Sequence, residues 1–155
     1  MKSNLTYINA IPEDAELLTQ TALDSKKSWG YSDELMNLWK SDLVVSVEYI
    51  LGNRVVKIFD QDRFIGFFGI KMVGNTGAVI DHLWIIPNEL RNGYGRLVFQ
   101  HIMNYLKSND HEKVTLIAEP NAKGFYDKMG GRIMGKFQSQ VSGRVLDVYE
   151  FDLRK

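Results

Sequence analysis

Between Val55 and Ile86 the sequence abandons helical spacing. Val55, Val56, Ile58 and Phe59 form one apolar run, Phe64, Ile65, Phe67, Phe68 and Ile70 a second, and Ala78, Val79, Ile80, Leu83, Trp84, Ile85 and Ile86 a third. Such β-branched and aromatic runs suit a pleated, half-buried surface. Asp60-Gln61-Asp62 and Gly74-Asn75-Thr76-Gly77 separate them and have the composition of tight turns, so the three runs are expected to form an antiparallel meander. A chain with a meander at its centre is not a helical bundle, and its class depends on what flanks that meander.

On the N-terminal side Leu5 to Asn9 alternates like a short strand. Ile11-Pro12-Glu13-Asp14 then opens a helix that runs to about Ser28, with proline in its first turn and acids that complement the dipole. Ser32-Asp33-Glu34 before Leu35, Met36, Leu38 and Trp39 marks a second helix start. On the C-terminal side the period is helical after Pro87, with Leu97, Val98, Ile102, Tyr105 and Leu106 on one stripe that ends near Ser108-Asn109-Asp110. Val114 to Ala118 reads as a buried strand, and Asn121 to Met129 as a short helix stopped by Gly130-Gly131. Two alternating stretches, Arg132 to Gln140 and Leu146 to Leu153, close the chain around Ser142-Gly143. The order is α+β in character. No repeat or Pro/Gly/Ser linker interrupts the 155 residues, so one domain over 1–155 is expected.

Leu83 to Val98 is the segment that carries chemistry, because it joins a strand to a helix through glycines at 93 and 95. Glycine there lets the backbone adopt forbidden conformations and lets a phosphate approach bare amides, while the helix offers unpaired N–H groups. Arg91 and Arg96 add charge-assisted hydrogen bonds. Lys and Arg number 19, as do Asp and Glu, giving no net charge; any anion site is therefore local, and neither nucleic acid nor an anionic membrane is an expected partner. The loop lacks the G-x-x-x-x-G-K-[ST] pattern of an ATP cradle. A dinucleotide fingerprint would need a third glycine where Val98 stands.

No cysteine is present, which excludes disulfides, thiolate zinc sites and a cysteine nucleophile. His82, His101 and His111 lack metal spacing, H-E-x-x-H and G-x-S-x-G are absent, and Asp60-Gln61-Asp62 is a hairpin turn rather than a calcium loop, so no metal is expected. The Met-Lys-Ser-Asn start has no signal-like apolar stretch and no apolar run reaches the roughly 18 residues of a membrane span, which together suggest a cytoplasmic protein.

Pro87 to Gly95 resembles the acetyl-CoA signature of the GNAT superfamily of N-acetyltransferases, R/Q-x-x-G-x-G/A after a strand ending in proline, with Gly93 and Gly95 on its two glycines. Asn121-Ala122-Lys123-Gly124-Phe125-Tyr126-Asp127-Lys128-Met129-Gly130 resembles the superfamily's A-x-x-F-Y-x-K-x-G helix. Two motifs stand in order, and the order of elements along the chain is similar throughout. There are two departures. Leu90 stands where Arg or Gln is usual, with the basic residue displaced to Arg91, and Gly131 follows Gly130 where an aromatic is common.

The resemblance implies a central mixed, mostly antiparallel sheet flanked by helices. It also implies transfer of an acetyl group from acetyl-CoA to a primary amine by direct attack in a ternary complex. A CoA-binding module without turnover is the alternative. Arg91, Asn92, Gly93, Tyr94, Gly95 and Arg96 would hold the pyrophosphate, and the main chain of Trp84, Ile85 and Ile86 the pantetheine. Tyr126 matches the family tyrosine that protonates the departing sulfur, the other reading being a tyrosine packed beside Phe125. Asn121 would cap its helix or touch the cosubstrate. Asp81 and His82, on opposite faces of the strand before the loop, are the two candidates for the base; a buried Asp81 would have a raised pKa. Trp29 and Tyr31 flank Gly30 between the first two helices, where they would floor an amine pocket by cation–π contact or staple the helix pair. Members of the superfamily often pair through the terminal strands, which makes a homodimer the expected assembly.

Overall fold

A computed structural model of the chain describes residues 4–87, 93–139 and 143–154. Strand β1 (Leu5–Asn9) runs into a 3-10 turn at Pro12–Asp14, where the Asp14 carboxylate accepts the Ile11 N–H at 2.9 Å. Helix α1 (Ala15–Lys27) thus begins one turn later than the proline suggests. Ser32 caps α2 (Asp33–Leu43), its hydroxyl accepting from the Leu35 amide at 3.3 Å. Ser46 caps α3 (Val47–Gly52) in the same way, at 3.0 Å from the Tyr49 amide. Nothing in the periodicity announces α3, because six residues complete fewer than two turns.

The central strands are β2 (Arg54–Asp60), β3 (Arg63–Val73) and β4 (Gly77–Ile85), followed by α4 (Tyr94–Ser108) and β5 (Lys113–Ile117). A 3-10 turn at Pro120–Ala122 leads into α5 (Lys123–Lys128), then β6 (Arg132–Gln138) and β7 (Val145–Asp152). The seven strands form one mixed sheet in the order β1-β2-β3-β4-β5-β7-β6. β1 with β2, β2 with β3, β5 with β7 and β6 with β7 are antiparallel, and β4 with β5 is parallel, as a helical crossover through α4 requires. The mixed, mostly antiparallel α+β sheet agrees with the expectation.

The residues pack as two compact units, Met1–Ile70 with His82–Tyr94, and Lys71–Asp81 with Gly95–Lys155. The first encloses Leu18 and Ala22 of α1, Met36, Trp39 and Leu43 of α2, Val45, Ile50 of α3, Val55 of β2 and Phe67 of β3. In the second, Val98, Phe99, Ile102 and Leu106 are the buried stripe of α4, and the Phe99 ring lies 4.8 Å from that of Phe151 on β7. Among the described residues no helix is long and apolar enough to cross a membrane.

Asp147 of β7, 7% exposed, ties this second unit together by accepting from Lys123 of α5 and Lys136 of β6. Those two hydrogen bonds hold its carboxyl below the usual carboxylate range. A carboxylate depressed in the folded state adds stability above its unfolded pKa, and loses it as pH falls through the folded value. Asp147→Asn should therefore lower the urea midpoint at neutral pH, and the gap from the parent should close as pH falls below about 4. A gap that stays constant with pH would remove the ion pairs from the account of acid stability.

Candidate functional site

In the first unit the end of β4 is held from both sides. Ile86 N–H donates to the Ile65 carbonyl of β3 at 2.9 Å, and the buried Ser25 hydroxyl of α1 donates to the Ile85 carbonyl over a long 3.5 Å. Two of the main-chain groups expected to meet pantetheine thus already have partners within the protein. The Trp84 carbonyl lies over Gly66 of β3, whose φ is +156° and where an added Cβ would sit 2.0 Å from that oxygen. Only glycine permits this approach.

His82 and Trp84 share a face of β4, as a period of two requires. The indole N–H of Trp84 donates to His82 Nδ1 at 3.1 Å. Since indole is only a donor, Nδ1 is the unprotonated nitrogen and the proton of a neutral His82 resides on Nε2. The imidazole is 7% exposed and packs against the rings of Tyr49 and Phe67, each with its centroid 5.6 Å away. Its basic nitrogen is therefore engaged inside the protein. Asp81 lies in the second unit and is exposed rather than buried.

Between α1 and α2 the aromatic pair is not Trp29 with Tyr31. Trp29 is 41% exposed, whereas Tyr31 meets Trp39 of α2 edge-on, with ring centroids 4.7 Å apart. The Lys26 ammonium stands 4.7 Å from the Trp39 centroid and 5.4 Å from that of Tyr31. Tyr31 is thus the residue that staples the helix pair, and the cation on its ring is the chain's own. Trp39 was legible only as an apolar position of α2.

At the glycine turn, Gly93 has φ +76°, and among the described residues nothing lies within 4 Å of where its Cβ would be. Tyr94 is 4% exposed, and Arg96 points to solvent. Leu90, Arg91 and Asn92 lie outside the described residues, so the displaced arginine is not placed.

In the second unit α4 begins beside α5. A Cβ on Gly95 would meet the Phe125 ring at 3.4 Å, and the Phe99 ring lies 5.9 Å from Phe125 and 6.2 Å from Tyr126. The structure thereby brings Gly95 and Tyr126, expected to act together, to one side of this unit. Tyr126 is 8% exposed, with Tyr149 at 5.8 Å and Phe151 at 6.5 Å between centroids. Burial, and secondarily the Glu119 carboxylate, push its phenol up to about 12, so it remains protonated at neutral pH. The neighbouring phenol of Tyr149 donates to Asp127 at 2.7 Å, but the Tyr126 hydroxyl makes no hydrogen bond among the described residues.

Asn121 does not cap α5. It lies in the 3-10 turn, where Glu119 is the capping residue and also accepts from the Asn121 side-chain amide at 2.9 Å. Gly131, the second departure from the family pattern, has a physical reason. A Cβ there would meet the Phe151 ring at 2.6 Å and Tyr149 at 2.7 Å, so rings of β7 fill the space. Among the described residues no group of His, Cys, Asp and Glu could hold a metal ion.

The sequence model of the acetyltransferase (GNAT) family matches residues 18–131, and the chain belongs to that family. No curated protein matches the sequence. Among solved structures it is similar to PaiA N-acetyltransferase from Thermoplasma acidophilum in complex with coenzyme A, with 18% identity over 96% of this chain and 99% of that one and a TM-score of 0.75. The ribosomal-protein-S18-alanine N-acetyltransferase from Escherichia coli is similar at 12% identity, covering 98% of this chain and 96% of that one, with a TM-score of 0.71. An aminoglycoside 6′-N-acetyltransferase complexed with coenzyme A gives 15% identity, 98% coverage of both chains and a TM-score of 0.68. At such identities the likeness is one of fold.

Proposed function

We propose that the chain acts as one domain that transfers an acetyl group from acetyl-CoA to a primary amine, the amine attacking directly in a ternary complex. The reading is carried by Tyr126, a buried and protonated phenol whose hydroxyl has no partner among the described residues, on the helix that adjoins Gly95 at the start of α4. Acetyl-CoA supplies an activated thioester; the amine lone pair forms the new C–N bond, the C–S bond breaks, and Tyr126 gives its proton to the departing sulfur. Tyr126, its phenol pushed up to about 12 and so protonated at neutral pH, regains that proton from water, and the surplus proton of the attacking amine passes to the general base. The amides at Gly93–Arg96, with Arg91, Asn92 and the side chain of Arg96, hold the pyrophosphate, and Asn121 and the main chain of Trp84–Ile86 hold the arm.

The acceptor enters by the α1–α2 connection, where Trp29 is exposed and the Tyr31 ring stands beside it in sequence. Neighbours of the same fold that are named for ribosomal-protein alanine and aminoglycoside acetylation both act on amines, which supports the class of acceptor and no single member. Of the two candidate bases Asp81 is the one favoured, since its side chain is exposed to solvent while the His82 imidazole is buried. The engagement of His82 Nδ1 by Trp84 is the observation that favours the second reading, a CoA-binding module without turnover.

Calorimetric titration with acetyl-CoA, with NAD as control, separates these readings when followed by amine-dependent thiol release. Micromolar acetyl-CoA binding with no NAD heat is expected, with thiol release that rises with added amine. Binding without amine-dependent release would establish the module instead, and absence of binding at millimolar acetyl-CoA would overturn both.

A further inference from the structure

Tyr94 occupies the variable position between the two glycines, where a side chain has no evident duty in a loop that works through its amides. Its ring is nonetheless buried at 4% exposure, and its hydroxyl donates to Asp60 Oδ2. Arg63 Nη2 donates to the same hydroxyl at 3.0 Å and lies 3.5 Å from Asp60 Oδ2. Asp60 and Arg63 are paired across the β2–β3 hairpin, whose turn is tight enough to hold Gln61 at φ +58°. Asp60 is the better buried of the two, its side chain 14% exposed against 57% for Arg63. The hydrogen bond to Asp60 holds the Tyr94 phenol above its ordinary range, so the phenol is the donor.

We infer that Tyr94, Asp60 and Arg63 form a latch within the first unit that ties the Gly93–Tyr94 end of the glycine turn to the β2–β3 hairpin, making Tyr94 a positioning residue for the pyrophosphate-binding amides. The inference rests on the reading of this loop as the acetyl-CoA site. Its chemistry is that of preorganisation. The usual Arg or Gln of the motif is absent at Leu90, which leaves the backbone to carry more of the anion, and amides bind an anion only as well as their directions are held. A phenol tied to a carboxylate and a guanidinium reaches 34 residues back along the chain to hold them.

Two variants break the latch from opposite ends, Tyr94→Phe and Asp60→Ala. Each should raise KM for acetyl-CoA by about tenfold, the order of one charge-assisted hydrogen bond. S-acetylpantetheine has the same thioester without the pyrophosphate, and its kcat/KM should fall by much less in both variants. The double variant should lose little more than either single one, as expected of groups acting through one bond. Equal losses for the two donors would mean a general structural role, and additive losses in the double variant would mean that the two residues act separately; either result overturns the latch. Parent protein that fails to bind acetyl-CoA overturns instead the functional reading on which the latch rests, so the two failures are distinguishable.

Discussion

Tyr126→Phe should lower kcat for amine acetylation about 10²-fold, the usual scale for one positioned proton donor, with little change in KM for acetyl-CoA. The same substitution should leave the melting temperature within about 2 °C of the parent or raise it slightly. The reason is the state of the hydroxyl. Removing a buried partner from a hydrogen bond strands the other partner, at about 1–3 kcal/mol, but the Tyr126 hydroxyl has no partner among the described residues, while the ring keeps its contacts with Phe99, Tyr149 and Phe151. Loss of turnover without loss of stability is the signature of a group held for chemistry. Turnover within twofold of the parent, measured by thiol release at saturating amine, would leave Tyr126 as a packed aromatic and no more.

The largest expected stability effect belongs to Gly66. A Cβ there would lie 2.0 Å from the Trp84 carbonyl oxygen and 3.0 Å from Ile85 Cα, both backbone atoms, so no side-chain rotation relieves the clash. The φ of +156° adds strain for any L side chain. Gly66→Ala should therefore cost at least about 3 kcal/mol in urea unfolding, and the end of β4 should be displaced enough to weaken binding of acetyl-CoA by the survivors. Gly52→Ala is the control, because that glycine ends α3 with open space around it and without a positive φ; it should be neutral or slightly stabilising. A Gly66→Ala protein as stable as the Gly52→Ala one would show that β3 and β4 can part without cost.

Much of the fold was legible because it is written in local periodicity. The three central strands, the stripe of α4 and the Ser32 cap of α2 each follow from residues within one element. Short elements were not. α3 has a serine cap but too few residues to show a period, and in sequence the 3-10 turns at Pro12–Asp14 and Pro120–Ala122 run into the helices that follow them without a break. The site divided in the same way. The glycine turn and Tyr126 carry family motifs, whereas the partners of Tyr94 stand 31 and 34 residues away, where no spacing rule reaches. The pairing of His82 with Trp84 was within reach, since alternate residues of a strand share a face, and an indole donor two residues along is an available partner for imidazole. Tyr31 was singled out, but its true partner, Trp39, and the Lys26 cation above both belong to a contact between helices that the sequence does not encode locally.

The rings that crowd Gly131 bear on how such a chain can diverge. The space that a side chain at 131 would enter is filled here by Phe151 and Tyr149 from another strand. A Cβ at 131 would lie 2.6 Å from the Phe151 ring and 2.7 Å from that of Tyr149, so a side chain there requires those rings to move. A side chain is accommodated at 131 by a compensating change on β7, or else the core is overpacked. Substitutions at 131 and 151 should accordingly be strongly non-additive, and the second glycine of Gly130-Gly131 is set by rings that stand some twenty residues further along the chain.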